Sequence, residues 1–302
     1  MSNMLPSPAP RKLGTTDIML SPLAWGMWRF AGNSLTHATE LVHAALDAGI
    51  TLFDTADIYG FGDPAGFGGA EALLGEVLTS EPGLRSQMVL ATKGGITPPV
   101  PYDNSDAYLS AAIEASLKRL KCDRVELYQI HRPDILAHPQ EVASALTRAM
   151  EAGKIAAIGV SNMTTTQIAA LQQFLALPIA TTQPELSPLH ITPLENGEAD
   201  QAMAMDMTML AWSPLGGGRI ADPQTAREKA VAAELDRIGN AAGVSRTVAA
   251  YGWIMAHPVR AIPIVGSQRP ERIADAAAAL NMRWTRQDWY AVLVAARGAP
   301  LP

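Results

Sequence analysis

Short apolar runs rich in β-branched and aromatic residues alternate along the chain with longer segments whose apolar positions recur at the helical spacing, from about Ser21 to about Leu280. The apolar runs cover residues 22–26, 51–54, 88–93, 125–131, 155–160, 179–183, 208–212 and 261–265, which predicts eight strands. The clearest helix lies at 105–120, where Leu109, Ile113, Leu117 and Leu120 fall on one face behind a Ser105/Asp106 cap. Similar stripes occupy 37–48, 70–78, 140–152 and 165–175. Strand–helix alternation implies a parallel sheet. With no linker or break in composition, it predicts one closed (β/α)8 TIM barrel over 1–302, the first ten residues flexible; an open doubly wound sheet is the alternative. Two segments stand outside the repeat: a predicted N-terminal β-hairpin at 11–21 turning between Gly14 and Asp17, and an extra C-terminal helix at 285–296. The Gly- and Pro-bearing stretch 213–225 exceeds the usual βα loop, and such loops tend to be functional.

The chain has 302 residues, 48% of them hydrophobic and 17% charged, the composition of a folded globular protein. Its net charge of −6, without a basic block, argues against a nucleic-acid partner. A single cysteine, Cys122, excludes an intrachain disulfide and any CxxC metal or redox motif. Proline interrupts the start where a signal peptide needs its apolar run, and no apolar stretch of about 18 residues occurs, so a cytoplasmic protein without membrane contact is expected. No zincin, P-loop or G-x-S-x-G signature is present, and no G-x-G-x-x-G follows the first strand.

In a barrel the active site forms at the C-terminal ends of the strands. Polar residues fall there in succession: Asp54, Lys93, His131, Ser161 with Asn162, Gln183, and Trp212 with Ser213. The alternation of side chains along a strand puts His131 on the face of Leu127 and Gln129, and Lys93 on that of Val89 and Ala91. If those faces point inward, Asp54, Lys93 and His131 converge on one mouth. Tyr59, five residues beyond Asp54, can swing its phenol over it. A phenol titrates near pH 10, and a neighbouring ammonium is expected to lower that value, which makes Lys93 the tuner, Asp54 its anchor and His131 the donor that orients a substrate oxygen. This set suits proton delivery to a carbonyl oxygen. No side chain carries hydride, so a cofactor must supply it.

The strings RKLGTTDIMLSPLAWGMW, GITLFDTADIYG, SLKRLKCDRVELYQIHRPD, KIAAIGVSN, AWSPLGGG and IPIVGSQRPERI, in this order, resemble the aldo-keto reductase family, barrel oxidoreductases that use NADPH. The resemblance implies a catalytic tetrad of Asp54, Tyr59, Lys93 and His131, with Tyr59 as general acid in the reduction of an aldehyde or ketone. It implies cofactor contacts from Gly26, Met27 and Asp54, and carboxamide contacts from Ser161, Asn162 and Gln183. Trp212 would stack under the nicotinamide, and Ser213, Leu215 and Gly217 would wrap the pyrophosphate. Gly266, Ser267, Gln268, Arg272 and Asp275 would line the adenosine-phosphate end, with a helix starting near Pro270. Trp28 matches a substrate-pocket aromatic, and Phe61 and Phe67, in the long Gly-rich loop 60–69, are candidates for the pocket wall. No metal is implied.

Many relatives have Lys where Gly266 stands and a Glu-Asn adenine pair where Asp275 and Ala276 stand, so a reduced margin of NADPH over NADH is expected. Two other readings stay open: a Schiff-base aldolase or lyase acting through Lys93, and a nucleotide-bound regulatory subunit with little turnover. Neither the natural substrate nor the oligomeric state is encoded in a recognisable motif.

Overall fold

The computed structural model describes residues 4–301. Strands β1 (Arg11–Lys12) and β2 (Met19–Leu20) pair antiparallel as the predicted hairpin. Eight further strands follow: β3 (Ala24–Gly26), β4 (Leu52–Asp54), β5 (Val89–Gly94), β6 (Val125–Ile130), β7 (Ile155–Ser161), β8 (Thr181–Gln183), β9 (Thr208–Ala211) and β10 (Ile262–Val265). They are parallel and close as a barrel, β10 pairing with both β3 and β9. Closure leaves the barrel itself without a sheet edge and rules out the open doubly wound alternative.

The alternation of side chains fixes what each face meets. Ala24, Leu52, Ala91, Leu127, Ala157, Ala180, Leu210, Ile262 and Ile264 form the apolar filling inside the barrel together with Leu13 and Leu20 of the hairpin. Residues of the opposite parity, such as Trp25, Phe53, Leu90, Tyr128 and Ile158, face the helices in the larger outer core. The hairpin therefore closes the barrel at the N-terminal ends of the strands. Gly14 makes this possible, since at φ +55° a Cβ there would lie 2.7 Å from Ala180 Cα. Thr208 Oγ1 donates to Lys12 O and accepts from Gly14 N–H, which ties the hairpin to β9.

Helices α1 (Leu35–Asp47), α2 (Gly69–Ser80), α3 (Asp106–Leu120), α4 (Pro139–Glu151) and α5 (Thr165–Gln172) match the predicted stripes. Ser105 caps α3 by accepting from Tyr108 N–H, as its position suggested. Three more follow at α6 (Glu198–Ala204), α7 (Ala226–Ala242) and α8 (Arg246–Ala256), then α9 (Pro270–Ala276) and the extra helix α10 (Arg286–Arg297) behind its Thr285 cap. Helix α10 is locked on by reciprocal indole bonds, Trp253 Nε1 to Trp289 O and Trp289 Nε1 to Trp253 O, with the two rings stacked.

Of the first ten residues, expected to be flexible, 1–3 lie outside the described residues, and the rest make three contacts with the barrel. Met4 bridges to Thr285, Leu5 N–H donates to Trp284 O, and Ala9 O accepts from Arg260. None of the helices among the described residues is long and apolar enough to cross a membrane.

Candidate active site at the barrel mouth

Pairing register sets the site. Asp54 ends β4 level with Gly26 of β3 and Ala91 of β5, and Lys93 lies one inward-facing position beyond Ala91. Both side chains are buried, and Lys93 Nζ meets Asp54 Oδ2 at 2.6 Å and Thr55 O at 2.9 Å. The third partner of the ammonium is Tyr59 OH at 3.2 Å. Tyr59 reaches it because the chain turns sharply after the strand, Tyr59 N–H donating to Ala56 O and Ala70 N–H to Tyr59 O. The His131 ring stands edge-on to Tyr59 with centroids 5.8 Å apart, and Trp28 contacts the phenol from another side at 5.4 Å. The four residues singled out from the sequence thus share one mouth.

Asp54 is held from below by two amides. Gln129 Nε2 and Gln183 Nε2 each lie 3.1 Å from Asp54 Oδ1, and because a carboxylate only accepts, both amides must turn their NH2 groups toward it. Room for Gln129 inside the barrel comes from Gly159, where a Cβ would sit 2.8 Å from Gln129 Cγ and 2.0 Å from Thr181 Oγ1. Gln129 was recognised only as part of the strand pattern; an amide one inward position before His131, in an otherwise apolar run, was the available clue.

The electrostatics follow from burial and this charge set. Burial works against the Lys93 charge, but Asp54 and Tyr59 outweigh it and hold the amine above its ordinary value. The phenol of Tyr59 is also raised, because burial outweighs the downward pull of Lys93. This reverses the lowering anticipated from the sequence, which counted the ammonium and not the loss of water. Burial, then the positive charges of Lys93 and Arg132, push the His131 imidazole well below its ordinary value, so the ring is neutral. Its Nδ1 is buried without a partner, which leaves Nε2 as the nitrogen open to the mouth.

Arg132 was not foreseen as part of the site. Its guanidinium lies 5.8 Å from the Trp212 ring centroid and takes no carboxylate partner among the described residues. Its position directly after His131 was the only hint.

The candidate nucleotide contacts run around the rim from β7 to β10 and back to β3. Ser161 Oγ donates to Gln183 O, and Asn162, in the left-handed region at φ +56°, places Nδ2 2.7 Å from Ser161 Oγ. Trp212 Nε1 donates to Asn162 Oδ1 at 2.9 Å. The NH2 of Gln183 is committed to Asp54 and Gln129, so only its Oε1 is free to meet a ligand. Ser213, also left-handed at φ +51°, accepts Gly217 N–H on its Oγ, and Leu215 packs on the outer core. Gly217 and Gly266 have nothing within 4 Å of where a Cβ would stand.

Beyond β10, Ser267 O accepts from Trp25 Nε1, and Gln268 Nε2 reaches Gly26 O at 3.4 Å while its Oε1 is buried and unpaired. Arg272 and Asp275 are exposed on α9. The side chain of Met27 is wholly inside the outer core, so only its backbone is available to a ligand.

The two loop phenylalanines part company. Both are exposed, but Phe67 also lies against the Arg119 guanidinium of α3, 5.9 Å from its ring centroid. Arg119 in turn pairs with Glu71 of α2, so Phe67 ties the loop to the α2–α3 junction. No group of His, Cys, Asp and Glu among the described residues is arranged to hold a metal ion.

The family model "Aldo/keto reductase family" matches residues 22–293. A protein of Novosphingobium aromaticivorans named 6-dehydroglucose reductase is 64% identical over 304 residues, covering all of both chains. A 6-dehydroglucose reductase of Agrobacterium fabrum is 36% identical, over 92% of this chain and 95% of that protein. Among solved structures, a thermostable aldo-keto reductase in complex with the inhibitor epalrestat superimposes with a TM-score of 0.83 at 23% identity, over 95% of this chain and 99% of the other. That likeness establishes the barrel, and the match across nearly all of the sequence makes the chain an oxidoreductase of the aldo/keto reductase family.

Proposed function

We propose that the protein reduces a sugar aldehyde to the alcohol with NADPH, with Tyr59 as the proton donor. The observation that carries this reading is the relay from the buried Asp54–Lys93 pair to the half-buried Tyr59, with contacts of 2.6 and 3.2 Å. The phenol is protonated at neutral pH, the state a donor needs at the start of reduction. As Tyr59 gives up its proton to the substrate oxygen, the ammonium of Lys93 stabilises the phenolate left behind. Asp54 keeps that ammonium charged and aimed. The neutral imidazole of His131 donates from Nε2 to the same oxygen, in the tautomer that leaves the buried Nδ1 without a proton to satisfy.

Reduced nicotinamide, when bound, supplies hydride to the carbonyl carbon. The half-buried Trp212 ring, the left-handed Asn162 and Ser213, and the open space at Gly217 and Gly266 fit such a group. Ser161, Asn162 and Gln183 Oε1 would hold its amide, the backbone of 213–217 its pyrophosphate, and Ser267 with Arg272 its adenosine phosphate. The substrate class rests on the relative named 6-dehydroglucose reductase at 64% identity. Trp28 beside Tyr59 and Arg132 over the Trp212 ring suit a hydroxylated chain, since a guanidinium presents a fork of donors and an indole an apolar face. A Schiff-base reaction at Lys93 is disfavoured because the 2.6 Å ion pair keeps the amine protonated and not nucleophilic.

The test is NADPH oxidation with 6-dehydroglucose and with simple aldehydes, in the wild type and in Tyr59→Phe. Turnover by the wild type that falls by at least about 100-fold in the variant, with unchanged NADPH affinity, supports the reading. Survival of reduction in Tyr59→Phe refutes the proton donor, and rejection of 6-dehydroglucose alongside turnover of other aldehydes refutes the substrate.

A further inference from the structure

On the outer side of the turn that carries Tyr59 lies a second buried acid with no part in the relay. Asp57 is 1% exposed. Its backbone N–H donates to Lys93 O at 3.0 Å, and its Oδ2 accepts from Tyr108 OH of α3 at 3.3 Å. Its Oδ1 is buried with no partner, and so is the hydroxyl of Tyr128, which points outward from β6. Both groups crowd Gly94: a Cβ there would meet Tyr128 OH at 2.1 Å and Asp57 Oδ2 at 3.1 Å. A charged carboxylate oxygen buried without a donor in a dry interior is costly, and protonation removes that charge.

The charges around Asp57 favour the neutral form. Glu71 of α2 repels the anion, and Arg119 of α3, which would attract it, is already bonded to Glu71. Lys93 points its ammonium to the opposite, inner face of β5. Burial and Glu71 together push the Asp57 carboxyl up to about 8, with Arg119, Tyr108 and the Ile58 backbone N–H opposing. Only Ile58 separates this carboxyl from Tyr59, on a turn closed by the Tyr59 N–H to Ala56 O bond.

We propose that Asp57 is a positioning residue for Tyr59: as a neutral acid bonded to Tyr108 it holds the Ala56–Tyr59 turn so that the phenol meets Lys93, and its ionisation loosens that contact. The functional half of this statement rests on Tyr59 being the proton donor. Asp57→Asn keeps the neutral shape and a donor, and Asp57→Ala removes both.

Three readouts decide the matter. In difference infrared spectra the protonated-carboxyl band of the wild type should vanish on raising the pH through the range around 8 and be missing in Asp57→Asn. In fluorotyrosine-labelled protein, the 19F line of Tyr59, identified by its loss in Tyr59→Phe, should shift over the same range in the wild type and stay still in Asp57→Asn. The kcat of the wild type should fall on the alkaline side, that of Asp57→Asn should stay level, and Asp57→Ala should lose at least tenfold in kcat with NADPH affinity within twofold.

A Tyr59 line that moves identically in wild type and Asp57→Asn overturns the proposal. So does full kcat in Asp57→Ala. If Asp57→Ala does not fold, the wild-type and Asp57→Asn pair still decides. Because the fluorine signal needs no turnover, an enzyme inactive on every aldehyde would defeat the assigned reaction while leaving the positioning claim to stand or fall on its own.

Discussion

The indole N–H of Trp212 and the side-chain carbonyl of Asn162 are joined by a 2.9 Å hydrogen bond across the ends of β9 and β7. An indole has a single donor, so this bond fixes both the tilt of the ring and the orientation of the amide. The proposed stacking platform and the proposed carboxamide contact are therefore one unit.

Asn162→Ala should weaken NADPH binding by more than the loss of one contact, because Trp212 loses its tether as well. A hydrogen bond contributes about 1 kcal/mol, or roughly fivefold in affinity, so a loss well beyond tenfold is expected. Quenching of tryptophan fluorescence during NADPH titration measures it, with Trp212→Phe as the reference in which the bond is already absent.

Gly266 has open space around it and an ordinary φ, and Arg272 on the facing turn of α9 has no carboxylate partner among the described residues. Gly266→Lys should therefore fit without strain and tighten NADPH binding several-fold while leaving NADH unchanged. Arg272→Ala should do the reverse, weakening NADPH toward the affinity of NADH. Parallel Kd measurements with the two cofactors check both, and equal effects on NADPH and NADH would remove the 2′-phosphate from this corner.

The buried Asp57 also affects folding. Its carboxyl is protonated in the native protein up to about pH 8 but ionised above about 4 in the unfolded chain, so between those limits the native state binds the extra proton. Stability must then fall as pH rises through that window. Asp57→Asn removes the dependence, and its melting temperature relative to the wild type should climb from pH 4 to pH 8 and then level off. The difference at the plateau is on the order of a few kcal/mol. Urea titrations at several pH values give the curve directly.

Arg132 offers a fork of donors over the Trp212 ring, and its charge pulls downward on both Tyr59 and His131, although burial leaves Tyr59 raised. If it reads hydroxyl groups, the wild type should prefer glyceraldehyde to propanal, two substrates that share a carbonyl and differ in hydroxylation, and Arg132→Met should erase that preference. A drop in kcat/KM of about tenfold for glyceraldehyde and little change for propanal is expected. Equal losses on both would assign Arg132 to general electrostatics.

How much of this was legible in the sequence depended on the kind of interaction. Strand positions were readable because alternation over four to six residues is a local pattern, and Asp54, Lys93 and His131 followed from it as strand ends. Tyr59 required only that a short loop turn back. What escaped were consequences of strands far apart in the chain being level with each other. Gln129 and Gln183 both reach Asp54 only because β4, β6 and β8 rise in step around a closed cylinder. The direction in which Tyr59 titrates escaped for the same reason: the neighbouring charge was visible in the sequence, and the depth of burial was not. The contact of Phe67 with Arg119 was not readable either, because nothing local tells a loop aromatic which neighbouring helix it will meet.

Lys12 and Thr208 stand 196 positions apart, yet their hydrogen bond seats the hairpin against β9. The floor of the barrel is thus laid by some of the first residues to emerge during synthesis and anchored by some of the later ones. Until β9 exists, Leu13 and Leu20 have no complete ring of strands to fill, and the long loop this contact closes makes it slow to form. A nascent chain ending before residue 208 would carry an apolar hairpin without a seat, so the last part of the chain decides when the first part can fold.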